Sequence, residues 1–170
     1  MVESNLKFTD LVQVFVYGTL KPGEANYKRY CSGKVVDVKI ALVQGKLFAL
    51  PMGYPAMTLG DSQVYGYLLS FSNPKILNEL DVLEDYQPNR QTPENLYNRQ
   101  IIEVYEPQSL SYSWAWVYLM TLEQVEQLGG FLQPGGWWSG CSLTPKFCFY
   151  LRKKSIPDVI LIPRSLSPPY

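Results

Sequence analysis

The sequence predicts an α+β domain in which most strands pair in an antiparallel manner. The chain has 170 residues, 46% of them hydrophobic, which is enough for one domain with a core and too few for two. Aromatic residues reach 14% and include 13 Tyr, and such side chains pack well on pleated sheets. Strand-like segments outnumber helical ones, and the short links between them favour antiparallel neighbours.

The first half of the chain predicts mainly strands. Residues 12–17 (VQVFVY) are rich in β-branched and aromatic side chains and predict a buried strand, and a short helix is expected within EANYKRYC. The segments KVVDVKIALV and GKLFAL predict two strands separated near Gln44-Gly45. Two prolines and two glycines in LPMGYPAMTLGDS predict a loop. The strand QVYGYLLSF follows, and its Gly66 indicates a bulge or a close approach of backbone or ligand.

The second half alternates helices and strands. Residues 74–85 predict a helix that Asn73 caps, because apolar side chains recur there at helical spacing. RQIIEVYE and YSWAWVYLM predict two strands joined by a turn, and TLEQVEQLGG predicts a short helix that begins after Thr121. One face of YSWAWVYLM is aromatic; packing in the core is the main interpretation of this face, and lining of an apolar cavity is the alternative. Its members are Tyr112, Trp114, Trp116 and Tyr118.

Residues 1–140 are expected to form the domain, and residues 141–170 a poorly packed C-terminal tail. From residue 142 onward the chain contains five prolines and a basic cluster, residues 152–154, which we expect to be solvated. The N-terminus has no secretory-signal pattern, and no apolar run is long enough to span a bilayer. The sequence therefore predicts a cytoplasmic protein with no membrane contact.

Composition excludes several classes of function. The 15 basic and 15 acidic side chains balance, so nothing indicates binding to nucleic acid. The chain has no histidine, which excludes Ser-His-Asp and Cys-His sites and most zinc sites, and no metal or cofactor is expected. Acid/base chemistry must then come from a carboxylate, Lys, Tyr or Cys with a shifted pKa. The three cysteines are interpreted as free thiols in a reducing compartment: Cys31, Cys141 and Cys148.

Glu84 is the candidate for that chemistry, because a helical wheel places it on the apolar face of the helix at 74–85. This face is defined by four side chains, Ile76, Leu77, Leu80 and Leu83. The helix's other carboxylates lie outside the face and are expected to point to solvent: Glu79, Asp81 and Asp85. Burial raises the pKa of a carboxyl group toward neutrality, which suits a general acid/base. The alternatives are that the helix frays at Glu84, or that Arg90 or Arg99 pairs with it.

The segment VFVYGTLKPG combines a strand with a turn. Gly18 allows a tight turn, and this is the simplest interpretation. Alternatively, Gly18 lets a ligand approach the backbone, and successive N–H groups hold a carboxylate or carbonyl oxygen. The segment is not a phosphate loop, since it lacks both glycine signatures of such loops.

Four segments in order resemble the γ-glutamylcyclotransferase-like (AIG2-like) proteins over about residues 12–120. VFVYGTLKPG is similar to the opening strand and loop of that family, GKLFALPMGYPAM to its G-x-LY…YPA piece, LDVLEDY to its LDxxEG segment, and LYNRQIIEVY to its Y-x-R strand. The resemblance implies a small mixed β-barrel with flanking short helices. It also implies that Glu84 is the catalytic acid/base and that Tyr17, Gly18, Thr19 and Leu20 form the substrate loop. Tyr97 becomes a pocket hydroxyl, and Arg99 a structural partner.

Three features depart from the family pattern, and one of them is the tail after about residue 141, which has no recognised counterpart. Asp85 stands where the family has glycine after its glutamate, and its charge either raises the pKa of Glu84 or points to solvent. The polar loop between Glu84 and Tyr97 is longer than in the shortest family members.

The resemblance implies cyclisation of a small γ-glutamyl peptide or amine to 5-oxoproline, with release of the amine and no cofactor. The alternatives are a hydrolase or acyltransferase on the same scaffold, or a non-catalytic binding module. The identity of the leaving amine and the oligomeric state are left open.

Overall fold

The computed structural model of the chain describes residues 10–140. The elements of this part are, in chain order, β1 (Val12–Val16), α1 (Tyr27–Tyr30), β2 (Val35–Ala49), β3 (Pro55–Phe71), α2 (Ile76–Leu83), a 3-10 turn (Thr92–Glu94), β4 (Asn98–Glu106), β5 (Ser111–Leu119), α3 (Leu122–Gln127) and β6 (Phe131–Leu132). The predicted tail, residues 141–170, lies outside the described residues.

Five strands close into a mixed barrel in the order β3, β1, β5, β4, β2, with β2 returning to β3. Every pair around the barrel is antiparallel except β1 with β5, which is parallel. The short β6 adds to the end of β2. The predicted class, an α+β fold with a small, mainly antiparallel barrel and flanking short helices, is confirmed.

Two apolar clusters hold this barrel together, one inside it and one outside. The interior cluster contains the large side chains Phe15, Leu47 and Leu68. The outer cluster lies between β1 and helix α2, where Val14 of the strand and Leu80 of the helix are both fully buried. Helix α2 is amphipathic and is fixed on the barrel wall by its apolar face.

The β2–β3 hairpin is longer than predicted. Residues 35–49 form one strand with a bulge after Gly45, where two strands were predicted. The predicted loop at 50–62 is wrong from Pro55 onward, because β3 begins there and pairs with the end of β2. A proline is tolerated as the first residue of a strand, where its missing N–H is not needed for the ladder. Gly66 makes the predicted close approach, since a Cβ there would lie 2.2 Å from the Val16 carbonyl oxygen.

Strand β5 turns its aromatic face outward, so the prediction that this face packs in the core is wrong for half of it. Tyr112 and Trp114 are 45% and 56% exposed. The barrel interior is filled instead by the small face, which includes the buried Ala115 and Val117. Tyr118 is buried and lines a cavity, which was the alternative interpretation.

The structure confirms the cap predicted for α3, at Thr121, but not the cap predicted for α2, since the residue before that helix is Lys75 and its side chain makes no capping hydrogen bond. The Asn73 side chain accepts a hydrogen bond from the Lys75 N–H at 3.0 Å, ahead of the first residue of α2. Thr121 caps α3 by accepting from the Gln124 N–H at 3.2 Å. The Gln124 N–H is one of the donors that the first turn of a helix leaves without a backbone partner.

Candidate active site

A cavity of about 250 Å³ opens beside the end of β1 and the C-terminal end of α2. All six residues singled out from the sequence line it: Tyr17, Gly18, Thr19, Leu20, Glu84 and Tyr97. The cavity is also lined by Tyr118 and by residues that sequence reasoning did not assign to a site, among them Asn26, Tyr54, Pro55, Leu83 and Leu96. The structure thus brings the predicted residues together, while their chemical roles remain predictions.

Glu84 lies at the point where helix α2 ends. Its N–H still donates to Leu80, and its carbonyl oxygen accepts from the Tyr97 N–H at 3.3 Å. Asp85 follows with a φ of 50°, and the next N–H groups donate back into the last turn, from Asp85 to Val82 and from Tyr86 to Asp81. This is a Schellman ending, in which a left-handed residue terminates the helix. The helix is therefore regular up to Glu84, and its ending fixes the direction of that residue.

The Glu84 side chain is partly buried among the cavity walls, and this burial raises its pKa to about 7. Within residues 10–140 its carboxylate takes part in no hydrogen bond or ion pair. Arg90 pairs with Asp85 at 3.0 Å, and Arg99 pairs with Asp81 at 2.9 Å. Neither arginine neutralises Glu84, so the structural alternatives considered for this residue are wrong. Asp85 is on the exposed side and is not a cause of the raised pKa.

Three consecutive residues of the loop after β1 line the cavity, namely Gly18, Thr19 and Leu20. The carbonyl oxygens of Gly18 and Thr19 accept hydrogen bonds from Lys21 and Asn26, and the Asn26 side chain donates to the Thr19 hydroxyl at 3.0 Å. The N–H groups of Gly18, Thr19 and Leu20 have no hydrogen-bond partner in the described part of the chain. Three consecutive donors without a partner can bind an anion or a carbonyl oxygen.

Two of the cavity tyrosines are anchored to backbone carbonyls. Tyr17 donates its hydroxyl proton to the Tyr118 carbonyl at 2.7 Å and accepts from the Met57 N–H at 3.2 Å. Tyr97 donates to the Pro55 carbonyl at 2.7 Å. Burial and the charge of Glu84 raise the pKa of both hydroxyls, so they stay protonated. Through its bond to Pro55, Tyr97 holds the start of β3 in place, and the start of β3 forms a wall of the cavity.

Asp81 does not face solvent as predicted. Its carboxylate lies against the barrel, where it accepts hydrogen bonds from the Tyr118 hydroxyl at 2.7 Å and from Arg99 at 2.9 and 3.0 Å. The Arg99 guanidinium also stacks near the rings of Tyr86 and Trp116. Arg99 is therefore a structural partner, as the resemblance implied, and its partner is Asp81. The wheel could not place Asp81 because β4 and β5 cover that side of the helix.

Within residues 10–140, no cluster of three or more His, Cys, Asp or Glu residues has a geometry that could hold a metal ion. Cys31 is a buried free thiol, and burial raises its pKa to about 12. In the same range no helix has the length and apolar character to cross a membrane.

Residues 14–140 match the family model described as gamma-glutamyl cyclotransferase, AIG2-like. A relative from Niallia circulans, named gamma-L-glutamyl-butirosin B gamma-glutamyl cyclotransferase, is 33% identical over 105 residues. That match covers 62% of this chain and 65% of the relative, so the chain spans just under two thirds of its length.

Solved structures share the fold. An AIG2-like protein from Mus musculus superposes with a TM-score of 0.56 at 20% identity, over 81% of this chain and 92% of the mouse protein. YkqA from Bacillus subtilis gives a TM-score of 0.53 at 21% identity, over 75% of this chain and 39% of YkqA.

Proposed function

Because the chain belongs to the gamma-glutamyl cyclotransferase, AIG2-like family, we propose that it is an enzyme that cyclises the γ-glutamyl group of a small γ-glutamyl peptide or amine. The products are 5-oxoproline and the free amine. Glu84 acts as general acid/base, the Tyr17–Leu20 loop binds the γ-glutamyl group, and Tyr97 forms a wall of its site. The cyclotransferase name of the Niallia circulans relative supports this chemistry.

The observation that carries the proposal is that Glu84 combines a carboxylate unpartnered within residues 10–140 with a raised pKa. Its carboxylate lines the cavity without a protein partner in the described residues, and burial brings its pKa to about 7. A group that titrates near the ambient pH exists in both protonation states and can take and return a proton in one turnover. In a chain without histidine, this carboxylate supplies what an imidazole supplies elsewhere.

The proposed reaction is an intramolecular aminolysis. The α-amino nitrogen of the γ-glutamyl group forms a bond to its own γ-carbonyl carbon, which closes a five-membered ring. The bond from that carbon to the leaving nitrogen breaks. Glu84 accepts a proton from the attacking nitrogen and delivers it to the leaving nitrogen, so that protons balance and no electrons are exchanged.

The backbone loop supports both binding and ring closure in this proposal. The N–H groups of Gly18, Thr19 and Leu20 donate to oxygen atoms of the γ-glutamyl group, and they stabilise the γ-carbonyl oxygen as negative charge develops on it. Ring closure is unimolecular, so holding the amine near the carbonyl carbon supplies much of the acceleration.

The test uses the purified full chain with a panel of γ-glutamyl dipeptides and γ-glutamylamines, and measures 5-oxoproline and glutamate by mass spectrometry. We expect 5-oxoproline together with the free amine. Glu84→Gln should lose at least roughly a hundredfold in turnover. Glu79→Gln is the matched control, because Glu79 lies on the same helix and pairs with Lys34 at the surface.

Each other outcome excludes the proposal in a different way. Release of glutamate indicates a hydrolase, and transfer of the γ-glutamyl group to an added amine indicates an acyltransferase. Full turnover by Glu84→Gln removes the assignment of the general acid/base. Absence of turnover with every substrate of the panel indicates a binding module.

A further inference from the structure

Helix α2 carries a second carboxylate that faces the barrel, one turn before Glu84. Asp81 is 15% exposed at its side chain, and Arg99, its ion-pair partner, is 17% exposed. The pair is thus largely removed from water. Its position next to the candidate general acid/base raises the question of what the pair does there.

Tyr118 connects Asp81 to the cavity. This tyrosine lines the same cavity as Glu84, and burial, Asp81 and Glu84 all raise the pKa of its hydroxyl. The hydroxyl has one proton, and it donates that proton to the Asp81 Oδ1 at 2.7 Å. A hydroxyl that is used in this way has no proton left for the Glu84 carboxylate.

Tyr118 differs in this respect from the other tyrosines that line the cavity with Glu84, whose hydroxyls within residues 10–140 do not donate to a carboxylate side chain. Tyr17 and Tyr97 donate to backbone carbonyl oxygens. Tyr54 is a further cavity tyrosine, and Arg99 is bound to Asp81. In the described part of the chain, Tyr118 is therefore the tyrosine of this cavity whose hydroxyl donates to a carboxylate.

We propose that Asp81 is a positioning residue for Glu84: by accepting the Tyr118 proton, it keeps that hydroxyl from hydrogen-bonding to the Glu84 carboxylate. This inference rests on the proposed role of Glu84 as general acid/base. A hydrogen bond from Tyr118 would favour the charged form of Glu84 and weaken it as a proton acceptor. Arg99 balances the charge of Asp81, so the hydroxyl is held at little electrostatic cost to Glu84.

The test compares variants that differ in whether the Tyr118 hydroxyl is present and whether Asp81 is there to accept its hydrogen bond. Asp81→Leu with Arg99→Met removes both members of the ion pair, so the net charge near Glu84 does not change and apolar side chains replace the pair. Adding Tyr118→Phe to these two substitutions removes the hydroxyl. The readout is the titration of the Glu84 carboxyl carbon by NMR in protein with 13C-labelled glutamate, with Glu84→Gln identifying the signal.

The expected result is a fall of about one pH unit or more in the Glu84 titration midpoint when the ion pair is replaced, because a charge-assisted hydrogen bond from Tyr118 then forms. Adding Tyr118→Phe should restore the midpoint, and Tyr118→Phe alone should leave it unchanged. Arg99→Met alone is the control that keeps the bond from Tyr118 to Asp81, and it should not lower the midpoint.

The proposal is overturned if replacing the pair leaves the midpoint where it is, or if at least half of the fall persists in the presence of Tyr118→Phe. If the variant with both members of the ion pair replaced does not fold, Asp81→Ala is compared with the double variant Asp81→Ala, Tyr118→Phe. Both of these variants lose the charge of Asp81, so a difference between their Glu84 midpoints reports the Tyr118 hydroxyl alone. The NMR titration does not require turnover. A failure of the proposed enzymatic function is therefore seen separately, as a lack of 5-oxoproline.

Discussion

Pro55 fills the space in which a side chain at Gly18 would begin. A Cβ at residue 18 would lie 2.6 Å from the Pro55 Cγ and 3.1 Å from its Cδ, closer than carbon atoms pack. Pro55 is itself held by the Tyr97 hydroxyl, which donates to its carbonyl oxygen at 2.7 Å. The glycine of the loop is therefore required by the packing of β3 against the loop, with or without a bound ligand.

Gly18→Ala should destabilise the protein, because the pyrrolidine ring is rigid and cannot turn away from the new methyl group. Overpacking of this kind costs about 1–3 kcal/mol of unfolding free energy, which urea titration measures. Pro55→Ala removes the opposing ring atoms and keeps the carbonyl that Tyr97 uses. The double variant should lose at least about 1 kcal/mol less than the sum of the two single variants. If the losses of unfolding free energy in the two single variants simply add in the double variant, the Pro55 ring does not clash with a side chain at residue 18.

Glu84→Gln should stabilise the fold at neutral and higher pH while it removes activity. The folded pKa of Glu84, about 7, lies above the ordinary value of 4.5. The folded state then binds more protons than the unfolded state between these values, so this residue's contribution to stability falls as the pH rises from about 4.5 to 7. The expected gain is on the order of 1–3 kcal/mol at pH 8 and close to zero at pH 4. Urea titrations of wild type and variant at both pH values measure it, with Glu79→Gln as the exposed control.

Local patterns predicted most of the fold because they report burial within one element. The strands and helix α2 follow from alternation and from helical spacing of apolar residues. The start of β3 was missed because Pro55 and Gly60 resemble loop residues, although Pro55 is the first residue of the strand. Gly60 and its neighbours form an irregular exposed stretch opposite the bulge of β2. The start of β3 pairs with the end of β2 because the barrel closes there, and a local sequence pattern does not indicate such pairing.

The candidate site divides in the same way. Glu84 and the loop at Tyr17–Leu20 follow from an apolar helix face and a recognisable motif, and the structure places both at one cavity. The contacts of Asp81 were not predicted, because its partners come from β4 and β5, far along the chain. The outward turn of the aromatic face of β5 was also missed, since alternation along the strand is equally compatible with either face inside, and the barrel takes Ala115 into its interior and leaves Trp114 outside.

The proposed mechanism predicts an acid limb in the pH–rate profile. Glu84 must be charged to accept the proton of the attacking amine, and its pKa is about 7. Below this pH, kcat/KM for 5-oxoproline release should fall about tenfold per pH unit, because the fraction of carboxylate falls by that factor. The residual rate of Glu84→Gln should lack this limb. An acid limb that survives unchanged in Glu84→Gln would assign it to the substrate or to another residue.

Asp85 occupies a backbone conformation that glycine adopts more easily, which accounts for glycine at this position in the family pattern. Its φ of 50° is left-handed, and its side chain pairs with Arg90 on the exposed side. Asp85→Gly should therefore leave Glu84 in place and stabilise the protein by up to about 1 kcal/mol, since the loss of an exposed ion pair is small. Asp85→Ala, which keeps the strained backbone and loses the ion pair with Arg90, should destabilise the protein.

Leu110 is the matched control, because it has a φ of 52° in the exposed β4–β5 turn. Leu110→Gly should stabilise the protein to a similar extent without affecting turnover. Urea titration and the 5-oxoproline assay together check these outcomes, and a large loss of activity in Asp85→Gly would mean that the aspartate has a chemical role at the site.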